Sequence, residues 1–114
     1  MPEFVAPEVV NGDGVGLAAD MWSVGIITYL LLSGYSPFRG ANDRETLTRI
    51  KEGKYEFNDD WFSEISPEAK DFIQKLLVYN PDGRSVDDLL PQQWLAIMVL
   101  YLYLSVVLNT ECYL

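Results

Sequence analysis

Three observations predict an all-α fold for this chain of 114 residues. Asp20–Ser33 reads Asp-Met-Trp-Ser-Val-Gly-Ile-Ile-Thr-Tyr-Leu-Leu-Leu-Ser, apolar at almost every position and without the alternation of wet and dry faces, so a helix there must be enclosed. Behind a Ser66-Pro67-Glu68 start, Ala69, Phe72, Ile73, Leu76 and Leu77 recur at i, i+3, i+4, i+7 and i+8, the spacing of a helix packed on one side. Asn42 with Glu45 three residues on forms a capping box ahead of Leu47 and Ile50. The architecture expected is a buried central helix, at least two amphipathic helices around it, and loops held by aromatic residues.

Along the chain, Pro7 can open a short helical turn, with Glu8 in the first turn, where a carboxylate suits the helix dipole. Gly12, Gly14 and Gly16 superficially match a phosphate-cradling loop, but the dinucleotide fingerprint would need a glycine at Leu17 and a preceding strand. A surface loop is expected there. The central helix over Asp20–Ser33 reaches only roughly 21 Å, short of a bilayer. Asp20 stands at its positive end, and Gly34 with Pro37 stops it. On the 42–52 helix, Glu45 and Arg49 can pair at i, i+4 for about 0.3 kcal/mol, and the mostly polar face is a solvated or a partner-binding surface. Gly53–Ile65 lacks a long period and reads as a loop pinned by Tyr55, Phe57, Trp61 and Phe62. Glu56, Asp59, Asp60 and Glu64 among these rings would repel a nucleic-acid backbone. Ser66 caps the next helix with Pro67 in its first position, and Asn80-Pro81-Asp82-Gly83 ends it in a turn. Ser85 can cap a last short helix to Leu90, interrupted by Pro91.

Composition narrows the function classes. A hydrophobic share of 49% supplies a core, and a net charge of −9 argues against nucleic acid or an anionic membrane as partner. Cys112 is the single cysteine and there is no histidine, which excludes an intrachain disulfide, a Cys-His zinc site, and Ser-His or Cys-His catalytic pairs. Residues 1–20 lack a basic start followed by an apolar core, so a cytoplasmic protein is expected.

Ala6-Pro7-Glu8, then Asp20-x-Trp22-x-x-Gly25, then Gly34-x-x-Pro37-Phe38, then Arg84 after an Asn-Pro turn, form an ordered set. Together they resemble the C-terminal half of the large lobe of a eukaryotic Ser/Thr protein kinase, the helical lower half of that lobe. The wording is most similar to the calmodulin-dependent group, with the death-associated and myosin-light-chain kinases nearest. The resemblance implies a partial kinase domain over residues 1–95 and a non-family apolar tail over 96–114. It also implies roles. Pro2, Glu3, Phe4 and Val5 would end the loop that holds the substrate residue following the phosphorylated Ser or Thr. Glu8 would pair with Arg84, and Asp20 would hold the backbone of a catalytic loop. Ile27 and Leu31 would support the adenine-binding column from below, with Ala6, Pro7, Trp22 and Gly25 completing the structural motif. Leu30 stands where some basophilic kinases carry a glutamate for a substrate arginine, so that element is missing.

Phosphoryl transfer in such kinases needs a glycine-rich cover, a phosphate-binding lysine, a catalytic-loop Asp and Asn, and a metal-binding Asp-Phe-Gly. None of these motifs occurs in the sequence. No catalytic residue, cofactor or metal is therefore expected in this chain, which alone is expected to be inactive; ATP and Mg belong to the full-length family. The expected partners are protein substrates or regulators of the parent kinase. Three readings stand: a fragment or truncated isoform whose chemistry lies upstream; a non-catalytic isoform binding through the 42–52 helix and Pro2–Val5; or a product without function, because loss of the rest of the lobe exposes the central helix. The tail from Ala96 to Leu108 is nearly all apolar, with no basic residue after Arg84. It is short of the ~20 residues of a membrane helix, so anchoring through 95–108 is not favoured. A β-prone aggregation segment or a helix covering exposed core are the alternatives, and a splice or read-through origin is expected. No basic amphipathic segment offers a calmodulin site.

Overall fold

The computed structural model describes residues 2–14, 16–84, 91, 93, 95–100, 102 and 106. Among them there are helices and turns and no strand. A 3-10 turn, Pro2–Phe4, leads into α1 (Pro7–Val10), α2 (Leu17–Ser33), α3 (Asp43–Glu52), α4 (Asp59–Phe62) and α5 (Pro67–Leu76), and a second 3-10 turn covers Pro81–Gly83. Residues 95–100 are helical again, as are 102 and 106. The short helix expected from Ser85 to Leu90 lies outside the described residues.

The ends of α3 and α5 are set by their own side chains. Asn42 Oδ1 accepts from the Glu45 backbone N–H at 2.9 Å, and Ser66 Oγ accepts from that of Ala69 at 3.2 Å. Glu45 turns its carboxylate back to the Ala41 N–H at 3.1 Å, one residue before the cap. Glycine at φ +82° (Gly34) and +68° (Gly53) closes α2 and α3 in the left-handed conformation. On α3 the buried residues are Thr46 and Ile50, with Leu47 only half-buried. Thr46 wins the inward position because its Oγ1 satisfies two backbone groups, accepting from Gly40 N–H at 2.9 Å and donating to Asn42 O at 3.1 Å.

α2 is the axis of the molecule and starts three residues before the expected Asp20, with Gly16 as its cap. One core forms on its side facing the loops, where Trp22, Ile26 and Tyr29 meet Phe38, Ile50 and Phe62. A second forms on its other side from Met21, Val24, Ile27, Phe72, Leu76 and Ile97. Gly25 lets α2 and α5 approach closely: a Cβ there would lie 2.8 Å from Leu77 Cδ2 and 3.0 Å from Leu76 Cβ. Enclosure is incomplete at the C-terminal end of α2, where Leu31 is 62% exposed and Leu32 37%. The expectation of an enclosed helix holds for the apolar residues from Ala19 to Tyr29 and fails at both ends, where Leu17 (68% exposed) and Leu31 extend beyond what the neighbouring segments cover.

The aromatic segment is more ordered than the loop expected from its sequence. Asn58 Oδ1 accepts from the Asp60 N–H at 2.9 Å and caps the single turn of α4, whose first turn carries Asp59 and Asp60. Tyr29 is the hub. Its ring lies 4.8 Å from Phe62 and 6.0 Å from Phe57, and its hydroxyl donates to Glu56 O at 2.7 Å. Burial pushes the Tyr55 phenol up to about 12 and raises that of Tyr29 as well.

Candidate functional site

Two constructions hold the segments to which the sequence assigns roles. The first is a clamp between residues far apart in sequence. Arg84 Nη1 and Nη2 donate to Glu8 Oε2 and Oε1 at 2.7 and 2.8 Å, a two-pronged grip that suits a planar guanidinium. The remaining donors are also used: Nη1 reaches Ala18 O at 2.8 Å, Nε reaches Val78 O at 2.7 Å, and Nη2 reaches Tyr79 O at 3.3 Å. The guanidinium carbon sits 5.0 Å from the ring centroid of Trp22, a cation–π contact. The Arg84 side chain is fully shielded and that of Glu8 is 13% exposed. The hydrogen bonds from Arg84 hold the Glu8 carboxyl below its ordinary value of 4.5, against an opposing effect of burial. One guanidinium thus joins α1, the start of α2 and the turn after α5.

The second construction pins the Pro2–Phe4 turn. Ser23 of α2 donates to Phe4 O at 2.8 Å, and Arg39 Nε donates to Glu3 Oε2 at 3.0 Å. Glu3 is buried although charged, and Arg39 is mostly exposed. Arg49 Nη1 in turn donates to Arg39 O at 2.8 Å, while its Nη2 pairs with Glu45 at 2.6 Å. The turn is therefore wired to α2 and, through Arg39, to α3. Arg39, Arg49 and Lys54 also border a groove of about 490 Å³ floored by Tyr29 and Tyr55. Sequence reasoning missed Ser23, Arg39 and Thr46. A basic residue directly after Pro37-Phe38, with a lone acid at Glu3, was the available signal for one pair.

The other sequence-assigned residues are scattered. Asp20 is half-buried and its carboxylate has no partner among the described residues. Ile27 is buried in the second core, whereas Leu31 is among the most exposed apolar residues. Leu30 is half-buried on the same helix. Trp22 and Gly25 lie in the two packing faces of α2.

ATP and Mg do not fit the residues present. Gly14 and Gly16 border a cavity of about 550 Å³, but its charged lining is Glu8 and Asp13, which would repel phosphate. The nearby cation, Arg84, is already committed to Glu8. Among the described residues no three His, Cys, Asp or Glu side chains converge as metal ligands.

The family model for the protein kinase domain matches residues 1–95. The chain belongs to the protein kinase family. Among curated relatives it is 54% identical over 96 residues to myosin light chain kinase family member 4 of Mus musculus, covering 83% of this chain and 25% of that protein. It is 52% identical over 95 residues to death-associated protein kinase 2 of Homo sapiens, covering 82% and 26%. These relatives place it with the Ser/Thr kinases of the calmodulin-dependent group. Among solved structures, the twitchin kinase region from C. elegans superposes with a TM-score of 0.71 at 53% identity, over 73% of this chain and 15% of that one. The autoinhibited serine kinase domain of the giant muscle protein titin gives 0.70 at 43% identity, over 74% and 26%. The helical fold is thus that of part of a kinase large lobe, and the chain spans about a quarter of the curated relatives it matches. No helix among the described residues is long and apolar enough to cross a membrane.

Proposed function

We infer that this kinase-family chain supplies the substrate-side scaffold of a Ser/Thr kinase large lobe and does not catalyse phosphoryl transfer by itself. Residues 1–95 are the kinase portion and 96–114 an appended tail. In the longer protein, ATP and Mg would be held by loops that this sequence does not contain, and the substrates would be proteins carrying Ser or Thr. A cytoplasmic location accompanies that reading. The observation that carries it is the Glu8–Arg84 clamp combined with the pinned Pro2–Phe4 turn. Together they hold Pro2, Glu3, Phe4 and Val5 against α2 and α3, a rigid ledge beside which a protein substrate can lie. The one carboxylate on that ledge, Glu3, is buried and paired with Arg39, which occupies it in holding the turn and leaves it no part in phosphoryl transfer.

The test is complementation. Fusing the upstream kinase portion of myosin light chain kinase family member 4 to residues 2–114 is expected to yield a phosphotransferase acting on Ser/Thr peptides. The 114-residue chain alone is expected to give no transfer above buffer. Transfer by the chain alone, or a folded chimera that binds ATP but does not transfer, would refute the proposal.

A second reading, partner binding without catalysis, is favoured by the exposure of Arg44, Thr48, Arg49 and Lys51 along α3 beside the pinned turn. Capture of partners of the longer kinase, lost in Leu47→Asp, is expected on this reading. Binding unchanged by that substitution would sink it.

A further inference from the structure

The cations of this chain are unevenly placed. Five of the eight Lys and Arg lie between Arg39 and Lys54, beside only three acids, so this stretch carries +2 while the rest of the chain carries −11. Pairing and burial then single out three of the eight. Arg84 is bound to Glu8, Lys75 to Asp71, Arg39 to Glu3 and Arg49 to Glu45. Lys70 is half-buried. Arg44, Lys51 and Lys54 are exposed, and none of the three has a hydrogen-bond or ion-pair partner among the described residues. Arg44, Thr48 and Lys51 recur at i, i+4 and i+7 on the side of α3 turned away from the buried Thr46 and Ile50, and therefore form one outward stripe with the half-buried Leu47 beside it. Lys54 follows just past the Gly53 cap, at the rim of the groove bordered by Arg39 and Arg49. Glu52 flanks the end of the stripe, and Glu56 lines the groove.

We propose that the outward stripe of α3 docks an extended acidic segment of a partner protein, with carboxylates meeting Arg44, Lys51 and Lys54 and an apolar side chain set against Leu47. The inference rests on the partner-binding reading of α3 and adds the chemistry of the partner. Charge complementarity selects it: an acidic segment finds its free cations on this one stretch and is repelled by the rest of the surface, which fixes where it lands. The spacing agrees. Arg44 and Lys51 stand about 10 Å apart along the helix, and carboxylates four residues apart in an extended segment stand about 13 Å apart, within reach of two long side chains. An anionic membrane is the poorer match, because a plane of headgroups would also meet the acids around the stripe, whereas a short segment meets the stripe alone over a Debye length of about 8 Å.

Fluorescence anisotropy of a fluorescein-labelled peptide, Glu-Gly-Leu-Gly repeated three times, titrated with the full chain tests the proposal. Saturable binding is expected, weakened by added salt and absent for the same peptide with Gln in place of Glu. Arg44→Gln and Lys51→Gln should each weaken it by roughly threefold, and the pair by about tenfold, as for exposed ion pairs. Both positions are exposed, so the helical circular dichroism should be unchanged. Gln74→Glu, on the exposed side of α5, lowers the net charge by the same single unit as either substitution and should leave binding as it was. No binding of the acidic peptide, equal binding of its Gln counterpart, equal loss in Gln74→Glu, or cosedimentation with phosphatidylserine vesicles in place of peptide binding would each overturn the proposal. Capture of a partner that is lost in Leu47→Asp but untouched by the Arg44 and Lys51 substitutions would leave α3 as a docking surface and overturn only its acidic chemistry.

Discussion

Replacing Arg84 by methionine keeps much of the side-chain stem but removes every donor of the clamp. The loss has two parts. Glu8 gives up a two-pronged, charge-assisted grip at 2.7 and 2.8 Å and becomes a carboxylate only 13% exposed, with little access to water. Three backbone carbonyls, of Ala18, Val78 and Tyr79, lose a guanidinium donor. Removing one partner of a buried, hydrogen-bonded ion pair costs about 3–5 kcal/mol, and the total stability of a domain is only about 5–15 kcal/mol. For a domain of this size each kcal/mol moves Tm by about 4–8 °C, so Arg84→Met should lower it by more than ~10 °C or abolish the cooperative transition. The assay is urea and thermal unfolding followed by both circular dichroism and tryptophan fluorescence, with Trp22 reporting on the clamp itself. Glu8→Gln keeps one acceptor and should cost less. In the double variant the two losses should fail to add, because either change already opens the same grip. A loss below ~1 kcal/mol for Arg84→Met, or strict additivity in the cycle, would refute the claim that this pair ties α1 to the turn after α5.

Further expectations come from packing and titration. Gly25→Val forces two methyl groups into Leu76 and Leu77, and overpacking of this kind should cost about 1–3 kcal/mol in urea unfolding; an unchanged midpoint would mean that α2 and α5 do not touch there. The folded-state value of Glu8 lies below the ordinary 4.5, so its contribution is complete above that pH and is lost as pH falls through the folded value. The acid limb of the stability–pH curve should therefore flatten in Glu8→Gln. Tyr55 has the opposite sign. Its folded value near 12 exceeds the ordinary 10, so its contribution is full below pH 10 and disappears as pH rises from 10 toward 12. Tyrosinate absorbance and loss of helical signal should rise together there, and Tyr55→Phe should move that transition to higher pH.

Residues whose partners lie within a few positions were legible in the chain. Asn42, Ser66 and the Asn80-Pro81 turn cap their own backbone, and the apolar spacing from Ala69 to Leu77 names its own buried face. The family motif also brought Glu8 and Arg84 into one hypothesis, since both belong to an ordered set of short patterns. Thr46 went unread because its inward position depends on a hydroxyl satisfying Gly40, which an apolar count does not register. The turn of α4 was hidden by its rings, whose burial argued for an anchored loop when the Asn58 cap decided the backbone.

Apart from the Glu8–Arg84 pair, which an ordered family motif supplied, what the sequence alone determined is therefore local: the longer helices, their caps, the acidic charge, and the lack of the groups that phosphoryl transfer needs. Only the tertiary structure decided which of many apolar residues are covered. Ile97 is enclosed by α2 and α5 while Leu31 and Met98 face outward, although all three are equally apolar on paper. Burial depends on what distant segments bring to a surface, and a period of 3.6 residues fixes the direction of a side chain only relative to its own helix.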